Sequence, residues 1–259
     1  MTPSMFLAAA ADASRAAARV ALDRFNRPRV VTSKGFRDIV TDADVAAQNA
    51  AVATILARFP DAAILGEENL APPGGADTLW VIDPIDGTTN YARQFPTFAV
   101  SIGVAQRGQP VAGVVYDPVR DHLFAAEAGL GATLNGAPIH VSNVRALPDA
   151  ILAVDWGQSP EDRRRTLTLL NAIATECRTV RAIGSATLAM CYLAAGWVDL
   201  FFNLALKPWD GAATQVIIAE AGGRMTDPQG DAWSYTQPAA LASNGHLHFV
   251  FDRYRVVES

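Results

Sequence analysis

Cysteine is almost missing from this chain: Cys177 and Cys191 are the only two among 259 residues. Both fall in apolar stretches of helical spacing, so neither a disulfide framework nor a thiolate zinc site is supported, and a reducing cytoplasm is the expected compartment. Long apolar runs are missing too, none approaching the roughly 20 residues of a membrane span. The mildly apolar stretch 5–13 has no basic residue before it, so no signal peptide is expected. A surplus of positive charge is also lacking, with Lys+Arg 21 against Asp+Glu 26 and a formal charge of -5. The one compact basic run, Arg163-Arg164-Arg165, follows Glu161 and Asp162 and reads as the polar first turn of a helix, so direct nucleic-acid binding is not expected. What is present is 50% hydrophobic and 18% charged residues, the composition of an ordered body built as one large domain or two joined halves.

Residues 4–25 are alanine-rich and run toward Pro28, which predicts a helix with Val20, Leu22 and Phe25 on its packed side. Residues 30–40 carry short β-branched runs around Lys34-Gly35, the pattern of an exposed hairpin or mobile loop. In the helix expected next, Val45, Asn49, Val52, Ile55, Leu56 and Phe59 recur at helical spacing before Pro60. The period then changes. Short apolar strands are expected at 63–65 and 79–82, separated by a Pro72-Pro73-Gly74-Gly75 turn, and consecutive strands at 98–105, 111–116 and 123–126. Their short connections favour antiparallel pairing, and Asn135-Gly136 supplies a further turn.

Beyond Pro148 the pattern predicts a strand at 151–154, a helix at 160–177, a short connection at 181–184, a helix at 187–195 and a strand at 198–202. A helix at 211–220, stopped by Gly222-Gly223, and a strand at 239–242 complete the reading. Helices and strands alternate in blocks, which predicts a layered mixed α/β (α+β) body without internal repeats. A boundary near 140–150 divides it into an N-terminal half, 1–145, and a C-terminal half, 146–259, joined in one catalytic unit.

The densest chemistry lies in Leu79-Trp80-Val81-Ile82-Asp83-Pro84-Ile85-Asp86-Gly87-Thr88-Thr89-Asn90-Tyr91, where an apolar strand ends in two carboxylates. Glu67 and Glu68 follow the preceding strand, and Asp210 opens an apolar helix in Trp209-Asp210-Gly211. Alone, Asp210 reads as a cap and Asp83 or Asp86 as an acceptor for turn amides. Together, carboxylates from separate segments at the carboxyl ends of neighbouring strands make an oxygen-lined cup for a hard cation such as magnesium. Pro84 extends Asp83 and turns the Ile85 carbonyl toward the same cup. Gly87 permits close backbone approach, and free amides at the start of a Thr88-Thr89-Asn90 turn attract phosphate oxygens. A Walker lysine-serine ending is absent. Thr41-Asp42-Ala43-Asp44 reads either as a capping group or as the source of a carboxylate that orients a threonine hydroxyl and a water; spacing does not choose between Asp42 and Asp44.

These motifs, with Lys34-Gly35, Gly66-Glu67-Glu68 and Gly184-Ser185-Ala186, resemble those of the inositol monophosphatase family of magnesium-dependent, lithium-sensitive sugar phosphatases, and the match spans nearly the whole chain. The resemblance implies a layered αβαβα sandwich, a homodimer and two to three Mg2+ ions per subunit. It implies Glu67, Asp83 and the Ile85 carbonyl on one ion, Asp83, Asp86 and Asp210 on a second, and a weaker third ion near Glu67. Asp44 then pairs with Thr88 while Asp42 caps, Gly87 and Thr88 amides receive the phosphate, and Lys34 lies near the metals. Glu67, Thr88 and Asp44 orient a water for in-line attack on phosphorus, without a phosphoenzyme.

For the alcohol half of the substrate the resemblance points to Asp86, Gly184, Ser185, Ala186, Asn203 and Asp210, with Arg181 as either a substrate-side or interface charge or a structural one. The family often places a glutamate where this chain has Asn203, which removes a negative acceptor from that wall. A small phosphorylated polyol or sugar is the expected partner, inositol 1-phosphate first. Histidinol phosphate and fructose 1,6-bisphosphate are the competing substrates, and an RNA-polymerase-associated regulatory protein on the same scaffold is the alternative of another class.

Overall fold

Alanine sets how the outermost layer packs. In the computed structural model, which describes residues 4–27, 30–68, 70–71 and 75–253, helix α1 (Met5–Phe25) buries Ala9, Ala10, Ala13, Ala17, Ala18 and Ala21. The antiparallel hairpin β1 (Val31–Gly35) and β2 (Asp38–Thr41) leads into α2 (Asp42–Leu56), which buries Ala43, Ala47, Ala51 and Ile55. Small side chains let the two helices lie close together over the sheet. The spacing-based stripe is therefore offset: Leu22, Val45 and Leu56 are 39%, 45% and 37% exposed, and Asn49 is exposed as well. Pro28 and Pro72-Pro73-Gly74 lie outside the described residues.

The first sheet has seven strands in chain order: β3 (Ala63–Gly66), β4 (Thr78–Asp86), β5 (Ala99–Gln106), β6 (Gln109–Asp117), β7 (His122–Glu127), β8 (Gly131–Leu134) and β9 (Ala137–Ile139). β3 and β4 are parallel and every later pair is antiparallel; a single helical turn, α3 (Thr88–Ala92), interrupts the run after β4. The second sheet is built from β10 (Ile151–Val154), then α4 (Pro160–Ala174), β11 (Thr179–Ala182), α5 (Ala186–Ala194), β12 (Leu200–Asn203), α6 (Pro208–Glu220), β13 (Arg224–Thr226), β14 (Ala240–Ser243) and α7 (Phe249–Arg253). Its order is β11-β10-β12-β14-β13, with β10 parallel to both neighbours and β14 antiparallel to both of its own.

Period-two alternation sorts the side chains into layers. On the seven-stranded sheet, Trp80, Ile82, Val100, Ile102 and Val104 face α1 and α2, whereas Val81, Ala99 and Val115 face a central layer of α5 and α6. On the five-stranded sheet, Ala153, Phe201 and Ala242 face that central layer, and Leu152, Val154, Phe202 and Leu241 face α4 and α7. The result is the αβαβα sandwich. Helix α6 presses onto the first sheet: a Cβ on Gly103 would lie 2.7 Å from Ala212, and one on Gly113 2.5 Å from Ala213. That contact sets the depth of Asp210.

Four local differences from the sequence reading stand out. Residues 179–182 form an edge strand that overlaps the connection expected at 181–184, because parallel pairing with β10 supplies their hydrogen bonds. α4 ends at Ala174. β13 and α7 are too short to show a period. α6 begins at Pro208, which places Asp210 inside its first turn. Among the described residues no helix is long and apolar enough to cross a membrane.

Candidate active site

Carboxylates converge where β3 and β4 end. These strands pair with Gly66 beside Ile82, so Glu67 and Asp83 leave the sheet side by side, and the Glu67 N–H donates to the Ile82 carbonyl at 3.1 Å. Gln48 of α2 clamps the turn, accepting the Glu68 N–H and donating to the Glu68 carbonyl at 3.0 Å each. A Cβ on Gly66 would lie 2.3 Å from the Gln48 amide oxygen, so a larger residue there would displace the clamp.

Among the described residues, Asp83, Asp86 and Asp210 each offer an oxygen within 4.8 Å of the others. Burial first, then Glu67, Asp86 and Asp210, pushes the Asp83 carboxyl well above the usual carboxylate range. Asp210 is raised in the same direction by burial and by Asp86. Glu67 rises to about 7 through burial, with Lys34 opposing and Glu68 and Asp44 adding to the rise. Hard oxygen donors held together against their own repulsion suit a divalent cation, so the residues fit magnesium.

Each acid is held by its own local device. The Ile85 N–H donates to Asp83 Oδ1 at 3.0 Å, folding the Asp-Pro-Ile turn. Asp210 Oδ2 accepts the Lys207 N–H at 2.7 Å as the capping carboxylate of α6. Asp86 is gripped by the start of α5: the Ser185 hydroxyl donates to Oδ2, as do the Thr187 N–H at 2.8 Å and hydroxyl at 2.5 Å, and the Ala186 N–H lies 3.3 Å from Oδ1. These bonds counter the upward push of burial on its carboxyl.

The capping and pairing alternatives for residues 41–44 resolve together. Thr41 is the α2 N-cap, and Asp44, fully buried, completes the capping box by accepting the Thr41 N–H at 2.9 Å and hydroxyl at 2.5 Å. The Thr88 hydroxyl lies 3.2 Å from Asp44 Oδ1 and 3.1 Å from the Ile85 carbonyl. Burial raises the Asp44 carboxyl to about 6. Asp42, expected as a cap, instead pairs with Arg24 at 2.7 Å and accepts the Val30 N–H at 3.2 Å, tying α2 to α1.

Gly87 turns the chain at φ 94°, and a Cβ there would stand 2.9 Å from the Gly184 carbonyl. Lys34, on the hairpin, extends its ammonium to Glu67 at 3.1 Å and Glu68 at 2.6 Å. Burial acts against that charge, yet the two carboxylates hold its pKa above the ordinary lysine value. Gly184 and Ser185 are engaged within the fold, the former through its carbonyl to Asn90 and the latter to Asp86. Arg181 bonds Thr179 and Val180 on the edge strand.

These groups open into a cavity of about 210 Å³ lined by Glu67, Asp83, Asp86, Thr88 and Asp210 on one side and by Asp155, Trp156 and Asn203 on the other. Asp155 was not among the residues singled out from sequence. Its signal was available: a carboxylate directly after an apolar strand, the same placement as Asp83.

A five-layer sandwich with an acidic cluster beside an aspartate-threonine pair defines a metal-dependent phosphatase. The family model for the inositol monophosphatase family matches residues 3–254, and the chain belongs to that family. It is 39% identical over 256 residues to the chloroplastic phosphatase IMPL1 of Arabidopsis thaliana, covering 96% of this chain and 69% of that protein. It is 43% identical over 198 residues to the Nus factor SuhB of Vibrio cholerae, covering 76% of this chain and 74% of that one. The solved extragenic suppressor protein suhB of Bartonella henselae superposes with a TM-score of 0.94 at 31% identity, over 99% of this chain and 100% of that one.

Proposed function

We propose that the chain hydrolyses inositol 1-phosphate to myo-inositol and phosphate by direct attack of water. The observation that carries this reading is the approach of Asp83, Asp86 and Asp210 to within 4.8 Å beside the Thr88–Asp44 pair. Glu67, Asp83, the Ile85 carbonyl, Asp86 and Asp210 are the proposed ligands of two to three magnesium ions. When bound, magnesium supplies Lewis acidity toward the phosphate and a water of lowered pKa.

The chain's own groups do the positioning. Asp44 accepts the hydrogen bond of the Thr88 hydroxyl and so leaves the threonine oxygen to accept from a water, and Glu67, on the same wall, meets that water beside Asp83. The Gly87 and Thr88 amides receive phosphate oxygens, while Lys34 balances the acidic rim. Asp86, Ala186, Asn203 and Asp210 meet the alcohol half, with Gly184 and Ser185 supporting them from behind. A homodimer of two such units, each formed from the halves 1–145 and 146–259, belongs to the same reading, as does inhibition by lithium.

The relative named as a Nus factor supports a second reading, a regulatory protein on the same scaffold. The assembled acid cluster favours the hydrolase. A magnesium-dependent screen of inositol 1-phosphate, histidinol phosphate, fructose 1,6-bisphosphate, glycerol phosphate and NADP tests both: highest turnover on inositol 1-phosphate is expected, and release of phosphate from none of them would overturn the assignment.

A further inference from the structure

We propose that Asp155 is a further substrate-positioning residue, an acceptor beside the Asn203 already placed on the alcohol half, so that the two form a donor–acceptor wall for neighbouring hydroxyls. The proposal deepens the phosphomonoesterase reading and rests on it.

β10 and β12 run parallel with Val154 beside Phe202, and the Asp155 N–H still points at the Phe202 carbonyl at 3.5 Å. The next pair in that register is Asp155 and Asn203, at the carboxyl ends of adjacent strands. Paired positions project to the same side of a sheet, and both residues line the cavity.

Their hydrogen-bonding senses are opposite. Asn203 Oδ1 accepts the Ala205 N–H at 2.8 Å, which fixes the amide orientation and leaves Nδ2, a donor, without a partner among the described residues. Asp155 Oδ1 accepts the Trp156 N–H at 2.9 Å, while Oδ2 has no hydrogen-bond or ion-pair partner among the described residues. Burial pushes the Asp155 carboxyl up to about 7, with the Trp156 N–H opposing and the charge of Asp86 adding to the rise. The structure thus puts a free donor and a free acceptor on neighbouring strand ends, whose backbones lie about 5 Å apart.

A diol matches this pair: one hydroxyl donates to Asp155 and its neighbour accepts from Asn203. An ammonium would satisfy Asp155 but face the Asn203 NH2 donor to donor, so the wall favours a polyol over an amino alcohol. Trp156, 36% exposed at the cavity edge, offers an apolar ring to the carbon skeleton.

The test compares inositol 1-phosphate with cyclohexyl phosphate, the same ring without hydroxyls, on the magnesium-loaded wild type and the isosteric Asp155→Asn variant. Losing a charged hydrogen bond lowers the ratio of kcat/KM for the polyol ester over the plain ester by about ten- to a hundred-fold. Asn203→Ser lowers the same ratio by about ten-fold. An unchanged ratio in both variants overturns the wall, as does a larger loss on histidinol phosphate than on the polyol ester. Calorimetric titration of the metal-loaded proteins with the two esters reads the same ratio in Kd. If the wild type turns over neither ester, the phosphatase reading falls, and the Kd ratio still decides the diol site by itself.

Discussion

The two walls of the cavity are built on opposite principles. On the wall formed by the end of β4, α2 and α6, the protein's own groups hold the acids: Asp86 takes four donors from Ser185 and the first turn of α5, Asp44 is shared by a cap and by Thr88, and Asp210 is tied to Lys207. On the wall from the five-stranded sheet, Asp155 and Asn203 each keep one hydrogen-bonding atom open to the cavity. Rigid geometry suits a transition state whose charge must be met without rearrangement. Open valences suit the part of a substrate that differs from one relative to the next. On the proposed roles the two walls overlap at Asp86 and Asp210, while Asp155 and Asn203, at the ends of β10 and β12, bear on the choice of alcohol alone.

The sharpest way to break that contrast is to neutralise the first wall. Asp83→Asn is expected to lower phosphate release by roughly 10²–10³-fold on every ester, with Asp210→Asn close behind. Either substitution should raise the melting temperature of the metal-free protein, because it relieves the repulsion that raises these carboxyls. Steady-state kinetics and melting in chelator read the two effects; a loss of activity confined to one ester would merge the walls. Glu67→Gln should cost roughly 10²-fold in kcat on the same panel.

A weaker perturbation tests how far the grip on Asp86 matters. Ser185→Ala removes one donor to Asp86 and the N-cap of α5, so kcat should fall about ten-fold and stability by about 1 kcal/mol. On the other wall, Asn203→Glu places a second carboxylate beside Asp155. It should reorder substrates by several-fold while the rate on cyclohexyl phosphate shifts less; equal loss on all esters would refute the division.

The pH dependence of stability separates the walls from the outer layer. In metal-free protein Asp44, Glu67 and Asp155 have folded-state pKa values raised to about 6, 7 and 7, above their unfolded values. Their contribution is therefore present below pH ~4 and is lost as pH rises through 6 to 7. His248, buried between Thr226 and Ser243, is lowered by burial from 6.5 to about 4, so its contribution is lost as pH falls across that window. In chelator, Tm should fall by a few degrees between pH 5 and 7.5, the carboxylates outweighing the histidine. Saturating magnesium should remove the part due to Glu67, a proposed ligand, and make the fall of Tm with pH shallower. A Tm profile indifferent to magnesium would separate the acid cluster from metal binding.

Much of the first wall was legible in the chain. Asp83, Pro84 and Asp86 are local in sequence, and proline and glycine impose their turns on any fold that contains them. Spacing left both the cap and the threonine partner open within residues 41–44; the resemblance gave the cap to Asp42 and the Thr88 pairing to Asp44, and the structure moves the cap to Thr41 while setting Asp44 3.2 Å from the Thr88 hydroxyl. Asp155 escaped notice because its meaning depends on β10 lying beside β12, two strands 48 positions apart in register. The alanine faces of α1 and α2 were also misread. Alanine carries little hydrophobic weight in a periodicity, so larger residues such as Leu22 and Val45 drew the stripe to the exposed side.

By itself the sequence determined most of the strands, the acidic turn and the kind of cation it suits, since these follow from period, backbone geometry and ligand hardness within a few residues. Only the tertiary structure decided which acids converge, that Ser185 and Thr187 turn toward Asp86, and that Asp155 stands beside Asn203. Those relations depend on strand order and helix depth, and both are set by the packing of distant apolar faces.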